Sequence, residues 1–160
     1  MIDTLMRRKK IARTKNKKVR NATILEYHGI TFKSKLELHC YKALKEANIK
    51  FQYEKVKYEL MPSFKFENES WELYKKKGER YFGPQRVLIR AITYTPDFVG
   101  SHNGQKFIIE TKGNPNDAFP LRWKLFKKHL HDTNNDSILY MPRNQKQTEE
   151  VVELIKNIGK

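Results

Sequence analysis

The sequence predicts an α/β sandwich, a single β-sheet with helices on both of its faces. Three observations predict it. The chain has 160 residues, the length of one domain with one core. Its periodic segments run helix, three strands, helix, strand, helix. Strand segments such as Phe107-Ile108-Ile109 are apolar on both faces, so the sheet must be covered on both sides.

Between Arg7 and Arg20 stand Arg7, Arg8, Lys9, Lys10, Arg13, Lys15, Lys17, Lys18 and Arg20, with no acidic residue among them. Like charges at this density resist compaction, so residues 1–23 read as a flexible basic arm and residues 24–160 as the folded domain. The arm either tracks phosphates or only solubilises the chain. Ile24–Tyr27 and Ile30–Phe32 flank His28-Gly29, the pattern of a short hairpin. Ser34-Lys35-Leu36-Glu37 has the S-x-x-E form of a capping box. Leu36, Cys40, Ala43, Leu44 and Ala47 follow at helical spacing, with Tyr41 at the stripe's edge, predicting a helix over 34–48. Phe51–Leu60 alternates as a strand and Met61-Pro62-Ser63 ends it.

Residues 63–85 are polar, aromatic and charged without a clear period. They read as an insertion-like excursion, either a hairpin or a short helix at 70–77. From Arg86 the chain is strand-like again through Gly100, and Lys106–Lys112 forms the next strand. A helix is expected from Asp117 to Leu130 with Phe119, Trp123, Phe126 and Leu130 inward. Ser137–Met141 reads as a buried strand. Gln147–Ile158 reads as an amphipathic helix through Val151, Val152, Leu154, Ile155 and Ile158.

Composition narrows the function. Lys and Arg total 33 against 18 Asp and Glu, a formal charge of +15. The usual partner of such a field is a polyanion, nucleic acid first and an anionic membrane surface second. Hydrophobic residues at 38% exclude wholesale disorder. No apolar run approaches the ~20 residues of a membrane span. The opening residues lack the apolar stretch of a secretion signal, and Cys40 alone makes neither a disulfide nor a Cys-rich zinc site. The expected setting is the cytoplasm, with no membrane partner.

Asn103-Gly104 is the strongest two-residue hairpin signal in the chain. Counting outward from it, 102 faces 105, 99 faces 108, and Asp97 faces Glu110. Lys112, two residues on, projects from the same face. Opposed like charges destabilise a sheet, and apolar flanks make the repulsion worse. Something positive must sit between them; Lys112 could do that alone, but a divalent cation does it better. A cross-strand Asp–Lys ion pair would explain two of these residues but not the second carboxylate. Two carboxylates and a backbone carbonyl are the hard oxygen ligands that Mg²⁺ takes. A lysine beside such a metal can hold or help deprotonate an attacking water. The expected chemistry is metal-assisted phosphodiester hydrolysis.

Pro96-Asp97 followed by Glu110-Thr111-Lys112 resembles the PD-(D/E)xK signature of the restriction-endonuclease-like nucleases. The flanks Tyr94–Phe98 and Phe107–Gly113 look like the core of the bacteriophage endonuclease I type of Holliday-junction resolvase and of related small phage nucleases. The resemblance reaches upstream to Phe32–Glu37 and spans roughly 27–131, with 63–85 the poorest fit. It implies a restriction-endonuclease-like core with a mixed sheet. It further implies that Asp97 and Glu110 ligate Mg²⁺ (with Mn²⁺ as a substitute), with the Thr111 carbonyl as a further ligand. Lys112 would act on the water, and Glu37 would complete the site as a ligand of a second metal or of metal-bound water. Glu37 also has a purely structural reading in the capping box.

The implied activity is a DNA endonuclease, structure-selective on branched DNA or Holliday junctions, working as a homodimer with two active sites. Symmetric dimers are also the default assembly. Backbone contacts are expected from the arm (Lys9, Lys10, Arg13, Lys15, Lys17, Lys18, Arg20), from Lys35, and from Arg122 and Lys124 on the helix after the catalytic strand. With Lys127 and Lys128 that helix surface has an ordinary solvated reading too. His129 and His131 lack the partners of a zinc site, and without GxxxxGK[ST] no nucleotide-driven motor is expected. The alternatives are a nuclease subunit of a transposition or packaging complex, and a non-catalytic basic nucleic-acid-binding module.

Overall fold

The computed structural model describes residues 24–85, 88–113 and 118–159, with the side chains of Lys76 and Gln85 excepted. The expected basic arm, with Lys9, Lys10, Arg13, Lys15, Lys17, Lys18 and Arg20, lies outside these residues. So does the expected helix start at Asp117.

His28 and Gly29, at φ 49° and 73°, supply the left-handed pair that a tight hairpin needs. They join β1 (Leu25–Tyr27) to β2 (Ile30–Phe32). Helix α1 (Lys35–Glu46) starts at the predicted cap, where Ser34 Oγ accepts the Glu37 N–H at 3.1 Å. Strand β3 (Lys50–Tyr53) follows. The expected strand Phe51–Leu60 is not continuous. Glu54 adopts φ 47° and donates its N–H to the Asp97 carbonyl at 2.9 Å, and the chain leaves the sheet there.

From Glu54 to Thr95 the chain makes an out-and-back excursion in antiparallel ladders. Strand β4 (Tyr58–Met61) pairs with β9 (Ile92–Tyr94), β5 (Phe64–Lys65) with β8 (Leu88–Ile89), and β6 (Ser70–Lys76) with β7 (Glu79–Gln85). The tip is Lys77-Gly78, at φ 50° and 89°. Of the two forms expected for 70–77 the hairpin holds and the short helix does not. The alternation there pairs across a tight turn instead of lining one helix stripe.

The chain re-enters the core as β10 (Phe98–His102), turns at Asn103-Gly104 and returns as β11 (Gln105–Ile109). Helix α2 (Phe119–Asp132), strand β12 (Ile138–Tyr140) and helix α3 (Gln145–Lys156) complete it. The central sheet runs β12-β11-β10-β3, with β11–β12 parallel and the other pairs antiparallel. It is therefore mixed.

Both faces of this sheet are covered, as the two-sided apolar runs require. Phe98, Phe107 and Ile109 pack with Cys40 and Leu44 of α1 and with Val151, Val152 and Ile155 of α3. Ile108 and Val99 pack on the other side with Phe119, Trp123, Phe126 and Leu130 of α2. All four residues expected to face inward from α2 are buried. Two expectations fail at the periphery. Ser137–Met141 is not a fully buried strand, because β12 is an edge strand with Ile138 exposed, and Leu154 of α3 faces outward. Among the described residues no helix is long and apolar enough to cross a membrane.

Candidate functional site

The β10–β11 register is the one counted from the turn: His102 opposite Gln105, Val99 opposite Ile108 and Phe98 opposite Ile109. One step further stand Asp97 and Glu110, where the ladder stops. Past this point each strand continues with its outer neighbour. The Asp97 carbonyl takes the Glu54 N–H, while the Glu110 and Lys112 N–H groups donate to the Tyr140 and Pro142 carbonyls, each at 3.0 Å. Between the two strands the backbone ladder gives way to a side chain. Asp97 Oδ2 accepts from the Thr111 N–H at 2.7 Å and from the Thr111 hydroxyl at 2.6 Å.

Both carboxyls are buried, Asp97 at 9% and Glu110 at 6% exposure. They line a cavity of about 490 Å³ together with Glu37, Tyr94, Thr111, Lys112, Phe119, Arg122, Lys33 and Glu54. Burial, then the charge of Glu110, pushes Asp97 up to about 8, against the lowering pull of the Thr111 hydroxyl. Burial also raises Glu110, offset in part by the nearby Tyr94 hydroxyl and Lys112. Neither Tyr94 Oη nor Glu110 Oε2 completes a hydrogen bond among the described residues, although both atoms are buried. Lys112 Nζ lies 3.4 Å from Glu110 Oε1 and 4.4 Å from the centre of the Phe119 ring.

Glu37 reaches the same cavity from the first turn of α1. Its carboxylate is engaged: Oε2 accepts the Lys33 N–H at 3.0 Å and the Tyr53 hydroxyl at 2.7 Å, and Oε1 accepts the Ser34 hydroxyl at 2.9 Å. The capping box and a place at the site are thus held by one residue. Its negative charge contributes to the rise at Asp97.

A divalent cation fits this donor set. A buried carboxylate oxygen without a donor, Glu110 Oε2, is what a cation would satisfy. Two carboxylates and a carbonyl suit Mg²⁺, which keeps several of its waters. Among the described residues no three His, Cys, Asp or Glu side chains form a ready-made metal cluster. The fit rests on Asp97 and Glu110, which line the cavity with Thr111, without Glu37 as a direct third carboxylate.

Of the expected backbone-binding residues, Arg122 lines the cavity, while Lys35 and Lys124 are exposed and do not. Sequence reasoning did not anticipate Tyr94, Tyr53, Lys33 or the Thr111 hydroxyl. Tyr94, Thr111 and Lys33 carried a signal, by lying within the segments Tyr94–Phe98, Phe107–Gly113 and Phe32–Glu37.

Residues 15–146 match the model of a protein family of unknown function, DUF1064. The chain belongs to that family. No curated protein and no solved structure matches it.

Proposed function

We propose that this DUF1064 protein is a metal-dependent DNA endonuclease that hydrolyses phosphodiester bonds, selective for branched DNA such as Holliday junctions and acting in the cytoplasm as a homodimer. One observation carries the reading. Two buried carboxyls line one cavity just past the end of the β10–β11 ladder, one has an oxygen without a donor among the described residues, and an ammonium stands 3.4 Å from that same acid. A structural ion pair needs one carboxylate and one lysine. It does not need a second acid, with Asp97 held above its ordinary pKa by burial and then by the charge of Glu110.

Mg²⁺, held by Asp97, Glu110 and the Thr111 carbonyl, would supply a more acidic water and neutralise charge on the phosphate. The protein's own groups do the rest. The Thr111 N–H and hydroxyl fix the Asp97 carboxyl, so it is pre-positioned. The Phe119 ring and Glu110 hold the Lys112 ammonium in place to orient the attacking water or to offset charge at the scissile phosphate. Arg122 lines the cavity and would meet a phosphate oxygen there. The PD-(D/E)xK resemblance points to the same chemistry.

The test is cleavage of a synthetic four-way junction beside a linear duplex of the same sequence, in Mg²⁺ and in EDTA. The proposal expects junction nicking in Mg²⁺ and none in EDTA. Cutting that appears only with an added partner protein would make the chain a subunit of a larger nuclease. DNA binding with no cutting in any metal would leave a basic binding module.

A further inference from the structure

β6 and β7 are seven-residue strands that, among the described residues, pair with each other and with no other strand, closed at Lys77-Gly78. At ~3.3 Å per residue the ribbon is roughly 23 Å long. Its register sorts the side chains. Trp71 lies opposite Pro84, Leu73 opposite Phe82 and Lys75 opposite Arg80, and these six residues share one face. Trp71, Leu73 and Phe82 are 57%, 65% and 70% exposed. The Trp71 and Phe82 rings sit 5.9 Å apart on that face. A two-stranded ribbon is marginal in water by itself, and an apolar face of this kind marks a binding surface.

Charge decides the occupant. Lys75 and Arg80 share the apolar face, and Lys77 is exposed at the turn. A second copy would bring its own Lys75, Lys77 and Arg80 against the same residues, so pairing of two copies through this face is opposed. A polyanion is drawn to it. A fully paired duplex offers phosphates but hides its base faces, whereas unpaired bases offer phosphates and a flat π-surface together.

We propose that the β6–β7 ribbon is a nucleic-acid-binding arm: Trp71 and Phe82 stack on unpaired DNA bases while Lys75 and Arg80 hold the flanking phosphates. The ribbon is then the element that favours DNA with open or branch-point bases over continuous duplex. This rests on the proposed DNA reading for its partner, and not on the carboxylate site.

The experiment is a fluorescence titration of the full chain in EDTA, where no cutting occurs. The probes are an oligothymidylate and a hairpin-closed, fully paired duplex, with binding followed in parallel by anisotropy of labelled DNA. Trp71→Phe isolates the Trp71 signal from that of buried Trp123. The oligothymidylate is expected to quench wild-type emission and to leave Trp71→Phe emission unchanged. Trp71→Ala and Phe82→Ala should each weaken its binding about tenfold and duplex binding less than about twofold. Lys75→Ala with Arg80→Ala should flatten the salt dependence by about 1.4 in log–log slope.

Oligothymidylate that binds without moving Trp71 emission overturns the proposal, as do equal losses on both DNAs. A wild-type dimer that Trp71→Ala dissociates, measured by light scattering, assigns the face to a second copy and also overturns it. Quenching at Trp71 by a protein that never cuts DNA in Mg²⁺ would support the ribbon and remove only the catalytic reading. A wild-type chain that binds neither DNA removes both.

Discussion

Two of the antiparallel hairpins among the described residues share the same turn chemistry and sit in opposite surroundings. Both β10–β11 and β6–β7 close on a two-residue turn with positive φ at each position, Asn103-Gly104 and Lys77-Gly78. In the first, helices cover both faces, and Phe98, Phe107, Ile108 and Ile109 have no exposed surface. In the second, Trp71, Leu73 and Phe82 stay exposed on the apolar face. Turn chemistry makes a hairpin, but burial on both sides is what makes two facing acids costly, and therefore informative. The same carboxylates on the ribbon would simply be solvated.

The largest difference between the two hairpins should be in activity. Asp97→Asn and Lys112→Ala are each expected to lower junction cleavage about 1000-fold or more, while DNA affinity changes little. Single-turnover cleavage alongside binding in EDTA separates the two effects. Retained turnover in either variant would return β10–β11 to a structural role.

Packing should differ next most. A Cβ on Gly100 would collide with the Lys50 carbonyl oxygen and lie 2.5 Å from Phe107 Cζ, whereas one on Gly83 would meet, among the described residues, only Tyr74 at 3.9 Å. Gly100→Ala should destabilise by about 3 kcal/mol, and Gly83→Ala by less than about 0.5 kcal/mol, in urea unfolding. Equal costs would mean that the ribbon is as tightly packed as the sheet.

These glycines also show how far the sequence could be read. Asn103-Gly104 announces its turn, and counting from it placed Asp97 opposite Glu110, because a regular antiparallel register is rigid. Ser34 and Glu37 announced the α1 cap, since each partner of a capping box is visible in sequence. Glu54 announced nothing: a glutamate at φ 47° has no sequence signature, so one expected strand became two. Lys77-Gly78 is a weaker turn signal than Asn-Gly. The aromatics around it alternate without a core to fill, and their pattern fitted helix or hairpin equally well. The clamp of Asp97 by Thr111 and the engagement of Glu37 by Tyr53 are tertiary contacts between segments whose spacing in sequence encodes neither.

A smaller effect concerns pH. Folded Asp97 keeps its proton up to about 8, whereas the unfolded chain releases it near 4. Between those values the folded state binds more protons, so metal-free stability falls as pH rises through the window. The wild-type Tm should drop by roughly 5 °C more than that of Asp97→Asn between pH 5 and 8. Parallel curves would mean that the carboxyl is ionised throughout.

The most direct measurement is the shift in Tm that millimolar Mg²⁺ or Mn²⁺ produces at pH 8, compared between wild type, Asp97→Asn and Glu110→Gln. Wild type should gain roughly 3–5 °C, with less gained at pH 6, where Asp97 holds its proton. Both variants should gain nothing. An unshifted wild type, or variants that shift as much as wild type does, would mean that no cation is shared between the two acids.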